Sequence, residues 1–204
     1  MRRLKKAVSA FLALLLLAVC PIYGEESALA AEIQPRLNVG YRWAAPQNVY
    51  FDLSGLSSSY QTQTVSAMNI WNQVRSLSSD KMITFNKKTN QYTQSRIIAK
   101  KMGKFNALAE ATPTLVGQEI LSVEISINTS WDLTIGANPE SYDVKSIMVH
   151  ELGHALGIAH CHEIGSSCFS PTCSINVMNP EIPANETRTV LRAYDTSSYQ
   201  MIYS

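Results

Sequence analysis

Between Ile120 and Asn128 the chain alternates, with Leu121, Val123, Ile125 and Ile127 apolar and Ser122, Glu124, Ser126 and Asn128 polar. A period of two predicts a strand with one buried and one wet face. Val49-Tyr50-Phe51-Asp52-Leu53 has the β-branched and aromatic content of another strand. Met82-Ile83-Thr84-Phe85 and Arg96-Ile97-Ile98-Ala99 predict two more, separated by a polar loop rich in Lys, Asn, Gln and Thr. From Gln61 to Leu77 the period lengthens: Val65, Met68, Trp71, Val74 and Leu77 recur about every three positions, as on an amphipathic helix that starts from the turn at Ser57 to Tyr60. Asn138-Pro139 breaks the chain again, and Ser141 or Asp143 can cap a helix running to about Leu156. Ile147, Met148, Val149, Leu152, Ala155 and Leu156 make that helix apolar nearly all round, which predicts a central, buried position. Asp195 to Tyr203 reads as a last, short helix. Strands and one helix come first and a mostly irregular C-terminal part follows, so the predicted class is α+β, in one domain.

The first 30 residues stand apart from this body. Arg2, Arg3, Lys5 and Lys6 precede an uncharged run from Ala7 to Val19, and Ala28-Leu29-Ala30 follows, the plan of a secretory signal peptide. The run is 13 residues, against the roughly 20 apolar residues of a spanning helix, so stable membrane insertion is not expected. Val19 stands before Cys20 where a lipoprotein signal carries a small residue, which argues against lipid anchoring there. Cleavage after Ala30 leaves 13 basic and 14 acidic residues. That balance, with no basic cluster or repeat after residue 31, gives no attraction to nucleic acid or anionic lipid. The expected destination is extracellular.

Cys161, Cys168 and Cys173 lie within 13 residues of one another. An oxidising destination favours one disulfide among them with one thiol left over, and the spacing does not choose the pair.

The chemistry concentrates in one stretch, His150-Glu151-Leu152-Gly153-His154-Ala155-Leu156-Gly157-Ile158-Ala159-His160. His150 and His154 are one helical turn apart, so both imidazoles project from one face at a separation a single metal ion can bridge. Gly157 permits a positive φ and a sharp turn, which lets the chain fold back and present His160 as a third ligand. Three neutral nitrogens leave a fourth position on zinc open, and Glu151, beside a ligand, can reach a water there as general base. All the chain's histidines, His150, His154, His160 and His162, fall in this stretch or two residues beyond it. A chance match to the five specified positions is on the order of one in 10⁵.

This segment resembles the extended HExxHxxGxxH signature of the metzincin zinc peptidases, and Ser174-Ile175-Asn176-Val177-Met178-Asn179-Pro180 is similar to their Met-turn. The chain most resembles the matrixins. The resemblance implies a zincin domain over residues 31–204: a mixed twisted sheet with an antiparallel edge strand, a long active-site helix and an irregular C-terminal subdomain. It also implies a zinc-dependent endopeptidase with one catalytic ion, Met178 as an apolar floor under the zinc, and a pocket for the residue after the cut walled by the loop following Pro180. Tyr41-Arg42-Trp43 is similar to the start of a matrixin catalytic domain, Ala67-Met68-Asn69-Ile70-Trp71 to its first helix. Leu108-Ala109-Glu110-Ala111-Thr112-Pro113 is similar to the edge strand and bulge beside its cleft, where an extended polypeptide substrate binds by strand addition.

Three departures qualify the resemblance. Glu110 stands where matrixins carry a histidine ligand of a structural zinc, so no second zinc of that kind is expected, and no run of close aspartates supports calcium. Between Ala31 and Tyr41 there is no cysteine for an inhibitory switch. The segment from Cys161 to Cys173 reads either as a second metal site of Cys161, His162, Cys168 and Cys173, or as a surface loop stapled by a disulfide, and secretion favours the staple. Glu163 and Glu181 near the site read as surface acids. A rival reading is a secreted zinc-containing binding protein, an adhesin or inactive decoy, although no ligand, base or turn residue is missing. A monomer is expected.

Overall fold

In the computed structural model, residues 39–74, 81–90, 92–161 and 173–204 are described. The leader, Cys20, Leu77, His162, Glu163 and Cys168 lie outside them. Five strands form one mixed sheet: β1 (Gln47–Gly55), β2 (Ile83–Lys87), β3 (Arg96–Lys100), β4 (Ala109–Val116) and β5 (Glu119–Asn128), in the order β2-β1-β3-β5-β4. β1 pairs in parallel with β2 and β3, and β3 with β5; β4 closes one edge antiparallel to β5. Two short strands, β6 (Leu133–Thr134) and β7 (Tyr142–Asp143), pair by themselves. Three helices accompany them, α1 (Ser58–Asn72), α2 (Val144–Ala155) and α3 (Ala193–Ile202). Between α2 and α3 the chain is mostly irregular, with one 3₁₀ turn at Cys173–Ile175. This is the α+β class that the sequence pattern predicts, with the antiparallel edge strand that the resemblance implies.

The parallel pairing of β1 with β2 needs a crossover, and α1 supplies it. Its N-cap is Ser57, whose side chain accepts from the Tyr60 N–H at 3.3 Å. Ala67, Met68 and Trp71 of α1 and Val49, Phe51 and Leu53 of β1 are all buried in one cluster with the apolar side of α2. Each large side chain so buried contributes about 1.5–3 kcal/mol. Trp71 ties α1 to α2 by donating Nε1 to the Val149 carbonyl at 2.8 Å, and Trp43 donates Nε1 to the Ala155 carbonyl at 2.7 Å. Tyr203, at the end of α3, donates its hydroxyl to the Leu156 carbonyl at 2.9 Å. Three aromatic residues from distant parts of the chain thus hold α2 by its backbone.

Three details differ from the periodicity. The helix predicted to Leu77 ends at Asn72, because the Asn72 side chain turns to pair with the Phe85 backbone of β2, donating to its carbonyl and accepting from its N–H, both at 2.8 Å. Val74 stays buried from beyond the helix end, which is what extended the apolar spacing. Leu121, placed by alternation on the buried face of β5, is instead 53% exposed. The register of β4 against β5 shifts there, Thr114 facing Ser122 and Leu115 facing Ile120, so Leu121 is the extra residue of a bulge and loses its inward direction. The face expected to be wet is also largely covered, with Ser122, Ser126 and Asn128 buried. Among the described residues no helix is long and apolar enough to cross a membrane.

Candidate active site

The site is built on α2 and on the turn that ends it. Asp143 caps the helix, its Oδ2 accepting from the Ser146 N–H at 2.9 Å and from the Ser146 hydroxyl at 2.6 Å. Gly157, at φ +86°, turns the chain out of the helix. The Gly157 N–H donates to the His154 carbonyl and the Ile158 N–H to the Gly153 carbonyl, at 2.8 and 3.1 Å, the paired bonds of a Schellman motif. The reversal brings His160 back over His150 and His154.

The three imidazoles meet at their Nε2 atoms, 3.0–3.1 Å apart in every pair. The other nitrogens are occupied on two of them: His150 Nδ1 donates to the Val177 carbonyl and His154 Nδ1 to the Ile158 carbonyl, both at 2.8 Å. A neutral ring that donates from Nδ1 carries a bare lone pair at Nε2. Lone pairs so close repel, and a cation between them removes the repulsion. A tetrahedral ion at about 2.0–2.1 Å from each nitrogen separates them by about 3.3 Å, near what is found. The donor set therefore fits zinc. Burial first, and then the neighbouring His154, His160 and Arg188, hold the His150 pKa down to about 3, offset in part by its bond to Val177. The ring stays neutral across the physiological range, the form in which it can ligate a metal.

Glu151 follows on the same helix, buried. Burial and then the Glu110 charge push its pKa up to about 8, against the Ala111 N–H, which donates to the carboxylate. Its second oxygen, Oε2, is buried with no hydrogen-bond partner. An unpartnered buried carboxylate oxygen has unmet bonding capacity, and Glu151 lines the same cleft as the three histidines.

Met178 is fully buried against α2 at Gly153. A side chain on Gly153 would put its Cβ 2.3 Å from Met178 Sδ and 3.0 Å from Trp71 Cζ2, so only glycine lets these two close on α2. The turn carrying Met178 is fastened by Asp195 of α3, which accepts from the Val177 and Met178 N–H groups at 3.1 and 3.2 Å and from Arg192 N–H at 2.8 Å. A cleft of about 700 Å³ runs past His150, Glu151 and His154, between the segment Asn106 to Ala111 on one side and Pro180 to Ala184 on the other.

Of the residues singled out in the sequence, His150, Glu151, His154 and His160 line that cleft, and Glu110 and Glu181 lie on its rim. The edge strand begins at Ala109, leaving Asn106 to Leu108 as the loop before it. Cys161 is joined to Cys173 by a disulfide, with Cα atoms 6.0 Å apart. Neither sulfur is then a thiolate for a second metal; Cys168 and His162 fall outside the described residues. Sequence reasoning did not reach Asp195, Arg188, Trp131 or Tyr142. Of these only Asp195 left a signal, an acidic residue at the third position of a helix whose N-cap N–H it accepts.

A family model described as matrixin matches residues 43–204, and the chain belongs to that family of zinc metalloendopeptidases, whose substrates are polypeptides. No individual curated protein matches the chain.

Proposed function

We propose that this matrixin is a secreted endopeptidase in which His150, His154 and His160 hold the zinc and Glu151 is the general base. The observation that carries the assignment is the meeting of three Nε2 atoms within 3.1 Å, in a cleft that Glu151, with its unpartnered Oε2, also lines. The ion, when bound, supplies Lewis acidity, making water more acidic and polarising the peptide carbonyl. Everything else falls to the chain. The Val177 and Ile158 carbonyls keep the His150 and His154 protons on Nδ1, leaving Nε2 to ligate. Glu151 takes a proton from the attacking water as its oxygen adds to the carbonyl carbon. It then hands that proton to the amide nitrogen as the carbon–nitrogen bond breaks. A cation held beside it favours its carboxylate form, countering the burial that otherwise raises its pKa.

The exposed edge of β4 supports binding of an extended substrate, and the segment from Pro180 walls a pocket floored by Ile147 for the residue after the cut. Arg188 braces that wall, its N–H donating to Ser146 Oγ at 2.7 Å and its guanidinium to the Glu181 carbonyl at 2.5 Å. The charge pattern at residues 2–6, the apolar run and Ala28-Leu29-Ala30 support export, with residues 31–204 as the mature domain.

Incubating the pure protein with a peptide library, with and without 1,10-phenanthroline, tests the activity; cleavage that the chelator abolishes is expected. Glu151→Gln is expected to keep zinc while losing about 10²–10⁴-fold in kcat/KM. Retained activity in that variant would end the assignment of Glu151.

A further inference from the structure

Besides Ile147 and the segment from Pro180, the cleft is lined by aromatic side chains. Trp131 and Tyr142 both line it and are both half-buried. Their rings meet edge to face, centroids 5.6 Å apart and planes at 79°. The one polar atom of the indole, Nε1, donates to the Asn106 carbonyl at 3.0 Å. What Trp131 leaves open to the cleft is therefore carbon. We propose that Trp131 and Tyr142 form a specificity-determining shelf that takes an apolar or aromatic side chain of the substrate, beyond the residue held beside Ile147. The proposal rests on the peptidase reading above.

Position along α2 sets the geometry. Ile147 stands one turn before His150, and Tyr142 just precedes the helix, so His154, His150, Ile147 and Tyr142 succeed one another toward its N-terminal end. The shelf thus lies on the same side of the histidine cluster as the walled pocket, and farther out. Across from it runs Asn106 to Leu108, where the chain leads into β4. In an extended guest strand, side chains two residues apart face the same way about 7 Å from each other. A guest that lodges one side chain beside Ile147 directs another along this line.

The shelf is also stiff. Asn128 is fully buried and its amide is saturated, with Nδ2 donating to the Gly103 and Ala107 carbonyls at 2.9 Å and Oδ1 accepting from the Met102 and Ser130 N–H groups at 3.0 Å. Ser130 Oγ accepts from the Gly103 N–H at 2.8 Å. The loop that holds the Trp131 indole is therefore pinned to the same short turn from which Trp131 projects. A preformed aromatic surface loses little freedom on binding, which is how such residues gain affinity. Among the described residues no lysine or arginine lines the cleft, and the acids that do are Glu110, Glu151 and Glu181, so an acidic side chain is disfavoured and an uncharged one fits the carbon face.

The test sequences both ends of the library products and then compares two peptides that differ only at the enriched position, Phe against Gly. Wild type is expected to enrich Phe, Tyr, Leu or Met two positions beyond the residue following the cut, and to prefer the Phe peptide about tenfold or more in kcat/KM. In Trp131→Ala that ratio should fall to about one, mainly through KM. Trp131→Phe should keep most of it, and Tyr142→Leu should lower it and answers the same question if Trp131→Ala does not fold. An intact ratio in Trp131→Ala or Tyr142→Leu, an equal loss on both peptides, or enrichment of Lys or Arg overturns the shelf. Cleavage with no preference at that position overturns the shelf alone. No chelator-sensitive cleavage at all overturns the peptidase reading, and the shelf with it.

Discussion

At Gly153 the helix face has no room for a methyl group, because Met178 and Trp71 occupy the place. Gly153→Ala would gain helix propensity on its own account, yet it must push Met178 Sδ away from a 2.3 Å approach. Overpacking of this kind costs about 1–3 kcal/mol. The variant is expected to melt several degrees lower by calorimetry and to bind zinc more weakly, since the displaced residue lies next to Val177, whose carbonyl orients His150. A higher melting temperature would mean that propensity outweighs packing here. The same residue separates what was legible from what was not. The order His150, Glu151, His154, Gly157, His160 is readable because a helical turn and a glycine reversal are local rules. That Gly153 must be bare is set by Met178, which arrives from 25 residues on, and no local pattern announces it.

Elements couple through backbone groups, which the sequence conceals. Asp195 belongs to α3, but its carboxylate serves the Met178 turn as well as its own helix. Burial pushes its pKa up, against the three N–H groups that pull it down. Asp195→Ala leaves those three donors in a dry place at about 1–3 kcal/mol each. A loss of about 3 kcal/mol or more is expected in denaturant unfolding, and an equal loss of zinc affinity should accompany it if the turn loosens as a unit. A change below about 1 kcal/mol would show that water replaces the carboxylate. The existence of every strand of the sheet but β4 was readable from period and composition, and β4 came only through resemblance. Its exposed residues Leu115 and Val116 and its proline give no alternation to read. The small β6–β7 pair, two residues each, is below what periodicity can register.

Across the whole molecule, the proposed zinc site joins pieces that are separate in the chain: α2, the Gly157 reversal, the Met178 turn and α3 behind it. A ligand that binds only the assembled site stabilises it by about 4 kcal/mol at a thousandfold excess over its Kd. One zinc per chain is expected by native mass spectrometry, and its removal by chelation should lower the melting temperature by several degrees. Two ions per chain would reopen the question of a second site near Cys161, and an unchanged melting temperature would mean that the ligands are held rigid without the metal.

The edge of β4 carries a last consequence. Because the Ala111 N–H points to Glu151, the alternate residues Ala109, Ala111 and Pro113 turn their main-chain groups away from β5 and toward the cleft. Pro113 has no N–H to offer, so the free ladder stops there. A visiting chain finds only a short run of partners, and it can use them only after surrendering its own. For a folded protein the rate of attack then follows how often a segment comes loose, so the enzyme would sort its targets by their local stability as much as by their side chains.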